Sequence, residues 1–256
     1  MNKLYKNDEL WFSIVFIIIY VLGASLCDTI SMAIGIDKII TLPFLIALTI
    51  FLLYWIKRNN LLNKYGLCKP HFSCKNFLFY IPLVVLILIN CWFGLAVYRD
   101  FTYCVLNVGS MLCVGIVEEI IFRGFLFKAM EKNNAKMAII VTSLTFGFGH
   151  IINLLFSPPQ QFIYTIFQII GAIAIGFLFV IIFYKGGSLI PCIITHCLIN
   201  AISLFSVAAM WEIVNQIITT AVIVVVAVSY SVYIVKCVKP KISSNYNNML
   251  DDGFTE

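Results

Sequence analysis

Three charged side chains sit well inside apolar runs of this sequence: Glu118, Glu119 and Arg123, in Val117-Glu118-Glu119-Ile120-Ile121-Phe122-Arg123-Gly124. A charge at the centre of a bilayer costs at least about 2.5–3.5 kcal/mol, so such residues face a protein interior and mark a site or an ion pair. Glu119 and Arg123 are four apart in the favourable order and neutralise each other on one helical face. That accounts for one acid. Glu118 points about 100° away from its neighbour on a helix and needs another partner or another reason. Two of the three histidines are also in apolar runs, His150 in Phe146-Gly147-Phe148-Gly149-His150 and His196 in Thr195-His196-Cys197-Leu198-Ile199-Asn200. Either alone fits a satisfied core histidine. Asn200, however, stands one turn beyond His196 on the same face, and Gly147 and Gly149 leave room beside His150 for another backbone or a substrate. His71 lies in a basic loop and takes no role.

A carboxylate, two imidazoles and an amide are the parts for hydrolysis by activated water. A buried acid and imidazole serve as general base near neutrality, and an imidazole and an amide N–H stabilise the oxyanion of a tetrahedral intermediate. Glu118, His150 and His196 are also a three-ligand zinc set with an open fourth position. Other hydrolytic routes lack their parts. There is no His-Glu-x-x-His helix and no Gly-x-Ser-x-Gly segment, and the aspartates lie at span ends, in loops or in the tail. Cys197 neighbours His196, but adjacent helix positions point apart, which makes it a packing residue.

The elements that must position these groups are membrane helices. Of 256 residues, 62% are hydrophobic and 11% charged, against about 45–50% and about 25% in soluble domains. So few charges cannot coat a soluble domain, and the apolar side chains must face lipid. The net charge of +5 comes from residues scattered between apolar runs, not from a stripe or tail, which argues against a nucleic-acid partner. The nine cysteines form no Cys-x-x-Cys pair and read as small apolar residues.

At about 20 residues per span, apolar runs near 10–27, 39–56, 77–98, 103–130, 137–156, 162–184, 188–210 and 213–235 predict an all-α polytopic membrane protein of eight helices. The first run is too long and too evenly apolar for a signal-peptide core and counts as a span. Residues 1–242 form a single transmembrane domain, with a motif-bearing core at about 100–205, and 243–256 are a polar tail. Ser157-Pro158-Pro159 and Lys185-Gly186-Gly187 break the chain between spans.

With the N-terminus inside, the inner segments hold Lys3, Lys6, Lys57, Arg58, Lys64, Lys69, Lys75, Lys128, Lys132, Lys136, Lys185, Lys236, Lys239 and Lys241, whereas the outer loops hold Lys38 and Arg99. Lys and Arg are retained on the cytoplasmic side, so both termini are expected there. Measured from the cytoplasmic ends of their spans, Glu118, His150 and His196 lie roughly 12–20 Å deep. They are expected to share one polar cavity open to the cytoplasm.

Glu118-Glu119-x-x-x-Arg123, Phe146-x-x-x-His150 and His196-x-x-x-Asn200, in that order on three polar-bearing spans, resemble the motifs of the CPBP family, the CAAX proteases and bacteriocin-processing enzymes also called the Abi family. The resemblance covers about residues 100–205. It implies an integral-membrane endopeptidase whose site opens toward the cytoplasm. By motif, Glu118 and His150 would activate water, His196 and Asn200 would form the oxyanion hole, and Glu119, Arg123 and Phe146 would support the site. A metal-free, glutamate-type mechanism fits Asn200 better than the zinc alternative with Glu118, His150 and His196 as ligands, because amides are poor zinc ligands. The implied substrate is a peptide or membrane-anchored protein, in a bacterial plasma membrane a maturing peptide or a bacteriocin. Two rivals come from other classes. One is a bacteriocin-immunity protein that binds a peptide without cutting it. The other is a proton-coupled transporter, against which the confinement of the acids to one span and the lack of a repeat between the halves both count.

Overall fold

The computed structural model describes residues 1–97, 99–152, 162–207 and 212–238, and every regular element among them is helical. In chain order these are α1 (Asn2–Asn7), α2 (Glu9–Ile34), α3 (Thr41–Arg58), α4 (Cys74–Cys91, kinked), α5 (Phe101–Glu131), α6 (Ala135–Gly149), α7 (Phe162–Gly186), α8 (Ile190–Ser203) and α9 (Glu212–Cys237). Each of the eight apolar runs therefore holds a helix. Six of these (α2, α3, α4, α5, α7 and α9) are long and apolar enough to cross a membrane, whereas α6 and α8 have 15 and 14 residues. The Ser157-Pro158-Pro159 breaker, Lys239, Lys241 and the 243–256 tail lie outside the described residues.

Helix ends follow local chemistry. The Asp8 carboxylate accepts from the backbone N–H groups of Leu10 and Trp11 and starts α2, and Gly35, at φ 83°, ends it with N–H bonds to Ser31 and Met32. Asn134 caps α6 through Met137 N–H, and Pro191 opens α8, where its missing N–H costs nothing. At the α7–α8 break, Gly187 takes φ 68° and a Cβ there would sit 2.1 Å from the His71 ring, so only glycine fits.

Two apolar clusters fill the bundle. One gathers Phe12, Phe16, Trp55, Tyr65 and Phe125 from α2, α3, the following loop and α5. The other gathers Phe77, Phe179, Phe183, Tyr230 and Ile234 from α4, α7 and α9. Between them lies the middle of α5, where Glu119–Phe127 winds as a π-helix with every residue buried. Such turns are rare and concentrate at functional sites. α5 meets α8 at Gly115, where a Cβ would lie 2.9 Å from the Cys197 backbone nitrogen. Small residues are what allow two membrane helices to approach this closely.

Candidate active site

The π-turn of α5 presents Glu118 and Glu119 to different surroundings. The Glu119 side chain is fully buried, and its Oε1 lies 3.1 Å from Arg123 Nη1 and 2.8 Å from His196 Nδ1. The Arg123 guanidinium rests 3.9 Å from the Phe146 ring centroid, so a cation–π contact adds to the carboxylate in holding a charge that has no water. The expected Glu119–Arg123 pair is present, and His196 joins it.

Glu118 finds its partner outside the stretch in which the motifs fall. Tyr20 of α2 donates its hydroxyl to Glu118 Oε1 at 2.7 Å, while Oε2 lies 3.5 Å from His196 Nε2. The sequence reading missed Tyr20. The available signal was Glu118 itself, an acid left over after Glu119 took Arg123, together with the buried stripe Phe12, Phe16, Tyr20 on α2.

Both imidazoles turn Nδ1 to a group that only accepts. His150 Nδ1 faces the Phe146 carbonyl at 3.2 Å. A carbonyl only accepts, so Nδ1 carries the proton and Nε2 keeps its lone pair. His196 Nδ1 faces the Glu119 carboxylate, which also only accepts, so His196 can donate from Nε2 as well only as the imidazolium. Phe146 packs edge-on against both rings, with centroids 5.5 Å from His150 and 5.9 Å from His196. It sets their spacing.

Glu118, Phe146, His150, His196 and Asn200 all line one cavity of about 290 Å³, together with Tyr20, Asp28 and Lys38. The structure thus brings together every catalytic residue expected from the sequence. A second cavity of about 300 Å³ shares Phe146, His150, His196 and Asn200 with the first and continues past Asn90 and Gln216. A chain segment lying through both would pass the reacting groups.

One expectation is corrected. Asp28 is not at a span end: α2 runs on to Ile34, and the Asp28 carboxylate lines the first cavity, where it pairs with Lys38 at 2.8 Å. The first cavity runs from Glu118 and Phe122 in the middle of α5 to the α2–α3 turn. The span expected over 137–156 stops as α6 at Gly149, so His150 is a helix cap, and Asn200 is three residues from the end of α8.

Of the two remaining glycines, Gly147 serves backbone approach, with a Cβ falling 3.0 Å from Ile173 N, whereas a Cβ on Gly149 meets nothing within 4 Å and the residue borders the cavity. Cys197 donates to the Leu112 carbonyl at 3.2 Å, consistent with packing. Among the described residues no group of three or more His, Cys, Asp or Glu is placed together as a metal set would be.

Residues 100–202 match the model of a family described as type II CAAX prenyl endopeptidase Rce1-like. No curated protein and no solved structure matches the chain. The matched stretch contains Glu118, Glu119, Arg123, Phe146, His150, His196 and Asn200, and leaves Tyr20, Asp28 and Lys38 outside it.

Proposed function

Residues 100–202 belong to the CAAX protease family, and from that premise we propose that this chain is a glutamate-type intramembrane endopeptidase that cuts a peptide or membrane-anchored protein with activated water and without a metal. The different surroundings of the two imidazoles carry the reading: His150 spends its Nδ1–H on the Phe146 carbonyl and lines the cavity, whereas His196 spends its Nδ1–H on Glu119 and has Glu118 Oε2 3.5 Å from Nε2.

Water positioned between Glu118 and His150 loses a proton to them as its oxygen bonds the scissile carbonyl carbon. His196 Nε2–H and the Asn200 amide stabilise the oxyanion. The tetrahedral intermediate then collapses, the C–N bond breaks, and the proton passes to the leaving nitrogen. Tyr20 fixes one oxygen of Glu118 and leaves the other directed toward His196. Arg123 pairs with Glu119, and both ring nitrogens of His196 face a carboxylate. In a bacterium the role would be peptide maturation or self-protection against a bacteriocin.

The test is a comparison of peptide termini by mass spectrometry in cells holding equal amounts of wild type and Glu118→Gln in the membrane. Termini that depend on Glu118 are expected; identical termini overturn the reading. Cleavage is also expected to survive strong chelation, and a loss restored by zinc would return Glu118, His150 and His196 to the role of ligands.

A further inference from the structure

One end of the first cavity is built from residues that take no part in the proposed chemistry. Lys38 Nζ donates to both carboxylate oxygens of Asp28, at 2.8 and 2.9 Å, and the Thr41 hydroxyl donates to Asp28 Oδ1 at 2.5 Å. Asp28, Lys38 and Thr41 all line the cavity that holds Glu118, His150, His196 and Asn200. Ser31 braces the group by accepting the Ile40 N–H at 3.1 Å. Lys38 takes φ 60°, in a backbone region where glycine, asparagine and aspartate are the usual residues. Its ammonium, not its backbone preference, suits it to that position.

An ion pair that only stapled the α2–α3 turn would have no need to border a cavity. This one does, and its acid is the more accessible partner, with the Asp28 side chain 35% exposed against 18% for Lys38. The ammonium already spends two of its N–H groups on Asp28, whereas Asp28 Oδ2 receives a single donor and keeps a lone pair for another. Asp37 follows in the same turn, so two acids stand beside one lysine. A cation is the guest this favours, because an anion would be repelled by the acid that Lys38 already serves.

Tyr20, whose hydroxyl holds Glu118, and Asp28 lie on the same helix, about 12 Å apart along its axis. An extended peptide covers that distance with about three to four residues. The second cavity, which continues from His150, His196 and Asn200, is lined by no Asp, Glu, Lys or Arg among the described residues. We infer that Asp28, held by Lys38 and Thr41, is a charge-selecting subsite that binds an ammonium or guanidinium group of the substrate. The basic residue lies about three to four positions from the scissile bond, on one flank of that bond only. Its position relative to the cut rests on the protease reading; the subsite itself stands without it.

Binding of labelled peptides to the full chain in nanodiscs, read by fluorescence anisotropy, tests this. Glu118→Gln is the background, so that no peptide is cut and Asp28 is the one acid left among the described residues lining the cavity. A series of alanine-rich peptides carries lysine, norleucine or glutamate at each position in turn. Lysine at one position or two adjacent ones is expected to tighten binding roughly fivefold over norleucine, the size of a partly exposed ion pair. Asp28→Asn is expected to remove that gain. The exchange of Asp28→Lys with Lys38→Asp, which keeps an ion pair across the turn, is expected to transfer it to glutamate. Equal or absent binding of the lysine and norleucine peptides, a gain for glutamate with the native pair, or a lysine gain that survives Asp28→Asn overturns the inference. A pair that only staples the turn would lower the melting temperature in Asp28→Asn and leave the ranking of the peptides unchanged. Because the readout needs no cleavage, it separates from the protease reading, which falls only if Glu118→Gln leaves the peptide termini unchanged.

Discussion

Two carboxylates one residue apart in sequence are held in opposite ways. Glu119 is sealed, bonded to an arginine and an imidazole and backed by the rings of Phe146 and Phe179. Glu118 borders a cavity, bonded to one tyrosine from a distant helix and partly accessible, at 13%. The sealed acid is locked by groups that would be left charged and unpaired without it. The accessible acid has its second oxygen 3.5 Å from His196 Nε2, in the wall of the cavity. Complete burial in an ion pair marks scaffolding, and partial burial beside a cavity with one tyrosine donor marks a candidate for chemistry.

The contrast is broken most directly by exchanging amide for acid. Glu118→Gln is expected to lower cleavage by about 10²–10⁴-fold, the range of a lost general base, with an unchanged melting curve in detergent. Glu119→Ala strands Arg123 at 1% exposure and is expected to cost about 3–5 kcal/mol of stability. Similar melting losses for both variants would erase the distinction. Tyr20→Phe sharpens it: the ring keeps its packing while a hydrogen bond to a charged group, worth about 1.5–3 kcal/mol, disappears. Turnover should fall by roughly ten- to a hundredfold with substrate affinity little changed, and an unaltered kcat would show that Tyr20 does not position Glu118.

Gly115→Ala acts one step further away. The added methyl meets the α8 backbone at Cys197, so α8 must retreat and carry His196 from both acids. A cost of about 1–3 kcal/mol in melting is expected, accompanied by slower cleavage. If stability drops and cleavage does not, the α5–α8 contact is packing alone. The smallest effect belongs to Cys197→Ala, about 1 kcal/mol or less with cleavage retained; loss of all activity would revive the thiol as a nucleophile.

How much of this was legible in the sequence depends on the range of each interaction. The Glu119–Arg123 pair is local, four residues apart on one helix, and could be read directly. Glu118, His150, His196 and Asn200 were legible as a set because polar groups in apolar runs are costly enough to need a reason. Their common cavity was expected from depth, whereas the lengths of α6 and α8 were not, because spans were drawn at membrane length and these two helices are shorter. Tyr20 was invisible for a different reason. It reaches Glu118 across 98 positions, and an amphipathic tyrosine in an apolar run is ordinary. The π-turn over Glu119–Phe127 leaves no compositional mark either, since its residues alternate as an α-helix would.

The clamps on α2 bear on Tyr20. Ion pairs fasten the helix at Glu9, to Lys64 and Lys132, and again at Asp28, to Lys38. Tyr20 lies between them, about 17 Å from the first and about 12 Å from the second along the axis. Ile18, Ile19, Leu22 and Leu26 on the outer face of the same stretch are exposed, so lipid presses there directly. The residue bonded to Glu118 therefore stands on a helix whose opposite face meets lipid, so a single turn of α2 separates the bilayer from the wall of the cavity.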